Sequence, residues 1–361
     1  MLAVSVPARI NIVGSPTDGV EGAYATLSAA VDLRGGAHIR AADQLELHRP
    51  SGMHTTLPRR LVADARGFDV EAAAVNALLR HSTEFRDRLH ARGAAISTWT
   101  DVPPSSGLAG SSVLVLAVLV ALRAFYELDA QRHNDYVLAE IAQRAEEQEM
   151  GIVCGYADRY VPLLGGIAYL SYHGKLWHAP LGEEPFVTYE PLAPRVPPLR
   201  FCVATTGVQR DSGEVHAPMR ARYLAERRQG SGPLLELARQ LGETAWRGKI
   251  ALLAGDLRAF GEQITRNQML IDDMMSRCGF SAGAGAEVRA LIAAARNAGA
   301  LGAKLTGAGG GGAIFALPRP GEEEPLAAAL RGAAAAAGLT RSQVLVLPVS
   351  STGLQVQHAV A

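Results

Sequence analysis

The sequence predicts an α+β protein of two lobes with a cleft between them. Segments typical of short strands fill most of the first hundred residues, helical stretches follow with strand-like segments between them, and the C-terminal part mixes helices with strands. Blocks of strands and blocks of helices in this order are typical of α+β proteins. A chain of 361 residues is also long enough for one large or two ordinary domains.

The first block of strands is followed by helices. Apolar and polar residues alternate, or residues of high strand propensity cluster, in MLAVSV, GGAHIRAA, QLELHRP and GAAISTWTDVP. Between them, VEAAAVNALLRHSTEF predicts a helix. From Ser111 the apolar residues recur at helical spacing, as they do again in DYVLAEIAQRAEEQEM. We therefore expect two half-buried or fully buried helices after the strands.

The remaining chain returns to strands and then mixes the two types. GGIAYLSYHGKLWHAP predicts a hairpin that turns at residues 173–175, and PPLRFCVATTG predicts a buried strand that enters a loop. Helices are predicted from Val215 to about Gly279, in AEVRALIAAARNAGA and in the alanine-rich segment 325–338. A last strand is predicted in SQVLVLPVS.

Charge and composition exclude several classes of protein. Lys plus Arg and Asp plus Glu both number 35, so no global positive field is available to hold nucleic acid or an anionic membrane. The apolar run 113–122 is shorter than the roughly 20 residues that a bilayer requires. The N-terminus lacks the pattern of a signal peptide, and Cys154, Cys202 and Cys278 lack the spacing of a disulfide framework or zinc site. We expect a cytoplasmic protein with buried cysteines.

Residues 103–112, PPSSGLAGSS, separate a predicted strand from a predicted apolar helix. The start of such a helix offers unpaired N–H groups, glycines let an anion approach the backbone, and the serines add hydroxyls, so a phosphate group fits. A plainer alternative stays open, in which Ser111 caps the helix and the glycines turn the chain. Neither GxxxxGK[ST] nor a GxGxxG motif that opens a βαβ unit is present.

Two further loops share this character. KLTGAGGGGAIFAL contains five closely spaced glycines between apolar strand-like segments, which favours a structured loop over a flexible linker; its backbone either curls tightly or lies against a ligand. ARINIVGSPTDG places Arg9, Asn11, Thr17 and Asp18 around an apolar centre. By itself this segment is first of all a turn signal.

Together and in this order, the three segments resemble the three motifs of the GHMP kinases, the family of galactokinase, homoserine kinase, mevalonate kinase and phosphomevalonate kinase. The resemblance runs from about Pro7 to Leu317 and implies a β-rich N-terminal lobe like ribosomal protein S5, a ferredoxin-like C-terminal lobe and an active site in the cleft. It implies domains at 1–195 and 196–361. GLAGSS, CGYADRYV and DSGEVHAPMRARYL are similar to glucuronokinases, whereas KLTGAGGGGA resembles galactokinases, mevalonate kinases and heptose 7-phosphate kinases.

The resemblance also implies roles for single residues. Asp158 would accept the proton of the acceptor hydroxyl, with a helix cap or surface ion pair as the plainer alternative, and Arg9 would lie beside Asp158 and the transferred phosphoryl group. Mg²⁺ would be held by Ser111 and Glu146, which offer the hard oxygen ligands that it prefers. Glu147 and Glu149 are predicted to lie on a solvated helix face, although an alignment shifted by one residue would give the magnesium role to Glu147. ATP would be bound by Pro104, Ser105, Ser106, Gly107, Leu108, Ala109, Gly110, Ser111, Ser112, Gly307, Ala308, Gly309 and Gly310.

The acceptor substrate is predicted to meet a second group of residues, namely Ser15, Thr17, Asp18, Asp158, Arg210 and Ser212. Ser15 and Pro16 replace the Glu-His pair of galactokinases, which argues against galactose. Arg210 and Ser212 suit a carboxylate or phosphate on the acceptor, although a salt bridge within the loop explains Arg210 equally well. The histidines at 173, 178 and 216 lack metal-ligand spacing, so structural roles are expected.

These features predict an ATP- and Mg²⁺-dependent kinase for a hydroxyl of a small-molecule sugar or sugar acid. The resemblance to glucuronokinases favours the anomeric hydroxyl. A heptose 7-phosphate kinase or mevalonate kinase is the alternative, and a monomer or homodimer is expected. A non-catalytic sensor of nucleotide and sugar is disfavoured, because the chain retains Arg9, Ser111, Glu146 and Asp158.

Overall fold

The structure is a computed structural model that describes residues 1–49, 51–61, 67, 69–175, 179–208, 212–280, 283–307 and 312–358, with the backbone alone at 212 and 213. Among these residues, no helix combines the length and apolarity that a membrane span requires. Helices pack against two β-sheets, as the predicted α+β class requires.

The described residues form twelve strands and ten α-helices. The strands are β1 (Leu2–Val13), β2 (Ala25–Ala42), β3 (Leu45–His48), β4 (His54–Leu57), β5 (Gly93–Thr100), β6 (Ile167–Ser171), β7 (Thr188–Pro191), β8 (Arg200–Thr205), β9 (Gly302–Thr306), β10 (Ala313–Leu317), β11 (Val344–Pro348) and β12 (Gln355–His358). The helices are α1 (Asp69–His81), α2 (Thr83–Ala91), α3 (Gly110–Phe125), α4 (Asp135–Arg144), α5 (Ala157–Leu164), α6 (Ser212–Gln229), α7 (Pro233–Leu253), α8 (Leu257–Arg277), α9 (Ala286–Asn297) and α10 (Glu323–Ala336).

The first sheet is organised around the long strand β2. Its first part pairs with β6 and its second part with β5, while β1 runs antiparallel along both parts. The path across the sheet is β12-β1-β2-β5-β3-β4, and β7 extends it beside β6. This arrangement carries the end of β1 to the edge of the cleft, where β1 supplies Arg9 and Asn11.

Helix α3 is apolar on every side because it is enclosed on every side. It packs against β1, β2 and β5 and against α1, α4 and α5, and residues 115–122 are fully buried. An all-apolar helix of this length is typical of a protein core. The helix therefore provides a rigid support for the loop that precedes it.

The second sheet is antiparallel with the order β11-β8-β10-β9. Helices α9 and α10 pack on it, and the chain passes from β9 through β10 and α10 to β11, the ferredoxin-like arrangement. Ile10 and Ile12 of β1 share a buried apolar core with Phe201, Phe260 and Phe315 from the second lobe. This common core fixes the two lobes beside the cleft.

Two predicted elements differ in the structure. The helix predicted in VEAAAVNALLRHSTEF is two helices, because the Ser82 hydroxyl accepts a hydrogen bond from the Phe85 N–H at 3.0 Å and caps α2. The prediction of a hairpin that turns at residues 173–175 is wrong. One edge of β6 pairs with β2 and the other with β7, so neither edge is open to a strand that directly follows this turn. Residues 176–178, within that segment, lie outside the described residues.

The strand β12 was not predicted. It pairs with β1, so residues 355–358 join the first sheet although they follow the second lobe in the chain. Its exposed, mixed sequence QVQH gives no clear strand pattern. The domain division at 195/196 stays a prediction.

Candidate functional site

A cavity of about 690 Å³ lies in the cleft between the lobes. Its walls come from the end of β1, the turn after it, the loop before α3, the segment after α4, the start of α5, and helices α6 to α8. Segments far apart in the sequence thus meet here. The cavity brings together Arg9, Ser15, Thr17, Asp18, Ser111, Glu146 and Asp158.

The loop before α3 curls tightly against the cavity. Ser105 and Ala109 have left-handed backbone conformations, with φ of 53° and 68°. The Ser106 hydroxyl is buried and has no hydrogen-bond partner among the described residues. Leaving a buried hydroxyl unsatisfied costs about 1–3 kcal/mol, which a ligand oxygen would offset. Residues 104–107 and 109–112 line the cavity, whereas the Leu108 side chain lies in the apolar core between the lobes.

The glycine-rich segment after β9 lies in backbone contact with this loop. A Cβ atom at Gly107 would stand 2.2 Å from the Thr306 carbonyl oxygen, and one at Gly307 would stand 2.6 Å from the Gly107 Cα. The Thr306 hydroxyl donates to the Gly107 carbonyl at 3.0 Å. Only glycine allows this approach, so the two loops form one surface. Gly307 and Gly312 line the cavity, and Ala308, Gly309 and Gly310 lie outside the described residues.

A π-helical turn, Ala145–Glu149, continues α4 and directs its glutamates to different partners. Such turns are rare and are often found at functional sites. Glu147 pairs with Arg220 and Glu149 pairs with Arg80, with glutamate side chains only 12% and 11% exposed. The prediction of a solvated face for these two residues is therefore wrong, because the widened turn points them at guanidinium groups.

Glu146 is the member of this turn that meets the loop before α3. Its Oε1 accepts a hydrogen bond from the Ser111 hydroxyl at 2.7 Å, and its Oε2 accepts one from the Ser112 hydroxyl at 2.8 Å. The buried guanidinium of Arg159 also contacts Oε2. The hydroxyl of Ser111 and the carboxylate of Glu146 are hard oxygen donors beside a loop that suits phosphate. These residues fit Mg²⁺ bound together with phosphate groups.

Arg9 connects the loop before α3 with Asp158, which lies in the first turn of α5. The Arg9 Nε donates to Asp158 Oδ1 at 2.6 Å, and Nη2 pairs with Oδ2. Nη1 of the same guanidinium donates to the Gly107 carbonyl at 2.7 Å. The Asn11 amide donates to Asp158 Oδ1 at 3.0 Å. The carboxylate is therefore held in one orientation by side chains from β1.

These contacts determine the ionisation of Asp158. Burial raises the pKa of this carboxyl, but the guanidinium groups of Arg9 and Arg159 and the hydrogen bonds from Arg9 and Asn11 outweigh burial and hold the pKa well below its usual value. Asp158 is therefore a carboxylate throughout the physiological pH range. It can accept a hydrogen bond from a hydroxyl, and it is a weak base.

The turn after β1 supplies the predicted acceptor residues. Asp18 is buried, and its Oδ2 accepts a hydrogen bond from the Ala157 N–H at 3.2 Å. Burial and the nearby charge of Asp158 raise the pKa of Asp18. The Thr17 hydroxyl donates to the Gly14 carbonyl at 2.7 Å and so stabilises the turn. Asp18 and Asp158 are thus held on the same side of the cavity.

Lys304 lies fully buried beneath this turn, and the sequence analysis missed it. Its ammonium donates to the Asn11 carbonyl at 3.2 Å, to the Leu305 carbonyl at 3.0 Å and to the Ser15 hydroxyl at 3.4 Å. Burial, with the nearby charge of Arg9, lowers the pKa of Lys304 to about 7. A lone charged residue inside the short strand GAKLT is the signal that could have found it.

Three more residues line the cavity, namely Arg159, His216 and Arg220; the sequence analysis did not single out the two arginines and expected only a structural role for His216. Burial lowers the pKa of His216 to about 4, so its imidazole is neutral near pH 7. Arg220 donates to the Gly19 and Cys154 carbonyls, both at 2.8 Å, and pairs with Glu147. His216 and Arg220 are four residues apart on α6, so helical spacing could have indicated their common face.

The remaining residues singled out from the sequence lie away from the cavity or outside the residues that the structure describes. His173 is exposed on a turn. His178 and Arg210 lie outside the described residues, as does the side chain of Ser212.

Comparison with known proteins gives two family matches. The model of the GHMP kinases N terminal domain matches residues 71–166, and that of the GHMP kinases C terminal domain matches residues 249–336. A mevalonate kinase from Pyrococcus abyssi is 27% identical over 99% of this chain and 98% of its own length. Glucuronokinase 1 from Arabidopsis thaliana is 29% identical over 72% of this chain and 67% of its own.

A solved structure shares the fold. The crystal structure of Lactococcus lactis galactokinase complexed with galactose superimposes with a TM-score of 0.74, at 18% identity, over 98% of this chain and 95% of that one. The predicted two-lobed architecture is confirmed. At this identity, the likeness concerns the fold alone.

Proposed function

Because the chain belongs to the GHMP kinases and is an ATP-dependent phosphotransferase with an alcohol acceptor, we propose that it phosphorylates a hydroxyl of a sugar or sugar acid. We assign the reaction to the anomeric hydroxyl. The match to a glucuronokinase supports this choice, as does the similarity of the segments GLAGSS and CGYADRYV to glucuronokinase sequences.

One observation carries the assignment of the site. The Arg9 guanidinium contacts both the Gly107 carbonyl, in the loop that suits phosphate, and the Asp158 carboxylate, beside the acceptor turn. A hydroxyl bound at Asp158 therefore stands next to a phosphoryl group held by the loop. Phosphoryl transfer depends mainly on such positioning and on electrostatic stabilisation of the transition state.

The loop before α3 would bind the triphosphate of ATP. Unpaired N–H groups at the start of α3 and the unpartnered Ser106 hydroxyl would donate to phosphate oxygens. Ser111 and Glu146 would hold Mg²⁺, which neutralises charge on the phosphates when it is bound. Arg9 would add a fixed positive charge beside the transferred group.

The acceptor oxygen forms a bond to the γ-phosphorus while the bond from that phosphorus to the bridging oxygen breaks, and ADP leaves. The hydroxyl proton passes to the Asp158 carboxylate and then to solvent. In a loose transition state little proton transfer from the hydroxyl has occurred, so a weakly basic carboxylate is sufficient to accept the proton afterwards. The first task of Asp158 is to orient the hydroxyl.

Polar groups around the acceptor position support a carbohydrate. Asp18 and neutral His216 line the cavity together with Asp158, and carboxylates and imidazoles suit hydrogen bonding to several hydroxyls. Arg210 and Ser212 would meet the carboxylate of a sugar acid.

Release of ADP should be measured with purified chain, ATP and Mg²⁺ across neutral sugars, uronic acids, heptose 7-phosphate and mevalonate. We expect turnover with a sugar or a uronic acid, and phosphorus NMR of the product would identify the phosphorylated hydroxyl. No turnover with any acceptor, from protein that binds ATP, would overturn the proposal and favour a sensor.

A second candidate acceptor is a branched hydroxy acid such as mevalonate. One wall of the cavity is apolar and includes Met219, Ile271, Met274 and Met275. Such a wall suits a hydrocarbon group better than a ring that carries a hydroxyl on each carbon. The mevalonate arm of the ADP-release assay distinguishes the two candidates.

A further inference from the structure

Arg159 is a buried cation whose position links the two carboxylates of the site. It follows Asp158 in α5 and is 1% exposed. One Nη contacts Glu146 Oε2, and the other donates to the Gly155 carbonyl at 2.8 Å and lies 3.8 Å from Asp158 Oδ2. Its Nε is buried and has no hydrogen-bond partner within the part of the chain that the structure describes.

Glu146 is consequently fully engaged by protein groups. Ser111 donates to one of its oxygens, and Ser112 and Arg159 donate to the other. Both charged side chains are 2% exposed. A divalent cation that approached Glu146 alone would meet a neutralised carboxylate and would leave a buried guanidinium without its partner, which is unfavourable.

A nucleotide changes this balance. Its phosphates offer oxygen ligands to the cation and bring negative charge to the cavity that Arg159 lines. They also provide acceptors for a guanidinium that has an unpartnered Nε. Displacing Arg159 from Glu146 therefore costs less when the cation and the phosphates arrive together.

We propose that Arg159 is a positioning residue that occupies Glu146 until the nucleotide binds, so that the site takes its divalent cation together with ATP and not alone. The inference rests on the proposed function, which assigns Glu146 to the cation.

A nearby ion pair provides a matched control. Arg80 Nε donates to Glu149 Oε1 at 2.6 Å, and Glu149 lies in the same π-helical turn. The Arg80 side chain is 57% exposed, and neither residue lines the cavity. Arg80→Met removes the cation from a carboxylate three residues from Glu146 but leaves Ser111, Ser112 and Arg159 in place.

The test measures binding of Mn²⁺ to the full chain in the absence of nucleotide. Binding is detected as a decrease in the electron paramagnetic resonance signal of free Mn²⁺. Wild type and Arg80→Met should bind Mn²⁺ equally weakly. Arg159→Met should gain one site with an affinity at least about tenfold higher, and Glu146→Gln in the same chain should remove that site.

Folded Arg159→Met protein without the new site would overturn the proposal. Wild-type protein that binds one free Mn²⁺ ion, with loss of binding in Glu146→Gln, would overturn it as well. This second comparison decides the matter if Arg159→Met does not fold. Failure of the proposed function has a different signature, because no acceptor would then be phosphorylated in the ADP-release assay, whatever the Mn²⁺ titrations of the variants show.

Discussion

The two sides of the cavity are built in different ways. The side that we assign to phosphate consists of two short segments, residues 103–112 and 306–307, which touch through glycine backbone. The acceptor side consists of charged side chains from β1, the turn after it, the π-helical turn, α5 and α6, joined by ion pairs and hydrogen bonds. One side depends on backbone shape and the other on tertiary placement of charge.

This difference explains why the family is clear and the acceptor remains a proposal. A backbone cradle for phosphate serves every member that uses ATP, so its glycines and serines recur in a recognisable motif. An acceptor is selected by a few side chains whose mutual positions depend on the whole fold. Variants on the two sides should therefore fail in different ways.

The largest effect is expected for Asp158→Asn. The amide cannot take the hydroxyl proton and loses the ion pair with Arg9, so turnover should fall by about 10²–10⁴-fold. Affinity for the Mg²⁺–nucleotide complex should stay within about threefold of wild type, because Asp158 lies on the acceptor side. Turnover close to wild type in steady-state assays would remove Asp158 from the reaction.

A smaller effect, on the opposite side, is expected for Gly107→Ala. The new methyl group would collide with the Thr306 carbonyl, so the two loops must separate and nucleotide affinity should fall by about tenfold or more. Gly255→Ala is the matched control, since Gly255 has a similar φ of +71° but an added Cβ there would have no atom of the described residues within 4 Å. It should cost about 1 kcal/mol of stability and leave nucleotide affinity unchanged. Equal affinities in the two variants would refute a role for the loop contact.

Arg220→Met should disturb the acceptor side alone. Arg220 joins the Gly19 carbonyl, the Cys154 carbonyl and Glu147, and its loss should loosen the turn that carries Asp18. We expect the KM of the acceptor to rise about tenfold while the KM of ATP changes little. Arg228→Met, at an exposed position of the same helix, serves as the control. A parallel rise in both KM values would mean that the two sides are coupled through α6.

The smallest effect concerns stability beneath the acceptor turn. The pKa of Lys304 is lowered from 10.5 to about 7, so between these values the unfolded chain binds one more proton than the folded chain. This group therefore makes stability rise with pH across that window, by up to about 1.4 kcal/mol per pH unit. Urea unfolding should be measured at pH 7, 8 and 9 for wild type and Lys304→Met. The free energy of unfolding of wild type should increase relative to that of Lys304→Met as the pH rises. Parallel curves would mean that Lys304 titrates normally.

The same difference between the two sides determines which features of the protein can be predicted from its sequence. The loop at 103–112 and the buried helix after it were predicted correctly, because local turn chemistry and apolar periodicity determine them. The GHMP kinase fold was predicted from the resemblance of three sequence segments to the motifs of the family, and it is confirmed. The roles assigned to Asp158, Arg9 and Glu146 stay predictions, although the cavity gathers all three.

The parts that could not be predicted depend on contacts between distant segments. Arg220 lies 73 residues from Glu147 and 201 from Gly19, and no periodicity reports such a pairing. Glu147 and Glu149 were misjudged because a π-helical turn changes the directions that regular helical spacing gives. The pairing of β12 with β1 joins the two ends of the described chain, and its short polar sequence carries no signal for it.

Calorimetric titration of a non-hydrolysable Mg²⁺–ATP analogue into wild type, Asp158→Asn and Gly107→Ala tests the separation of the two sides most directly, and it requires no knowledge of the acceptor. We expect Asp158→Asn to bind the analogue within about threefold of wild type, and Gly107→Ala to bind it about tenfold or more weakly. Loss of nucleotide binding in Asp158→Asn, or its full retention in folded Gly107→Ala, would show that the two sides of the cavity are not separate.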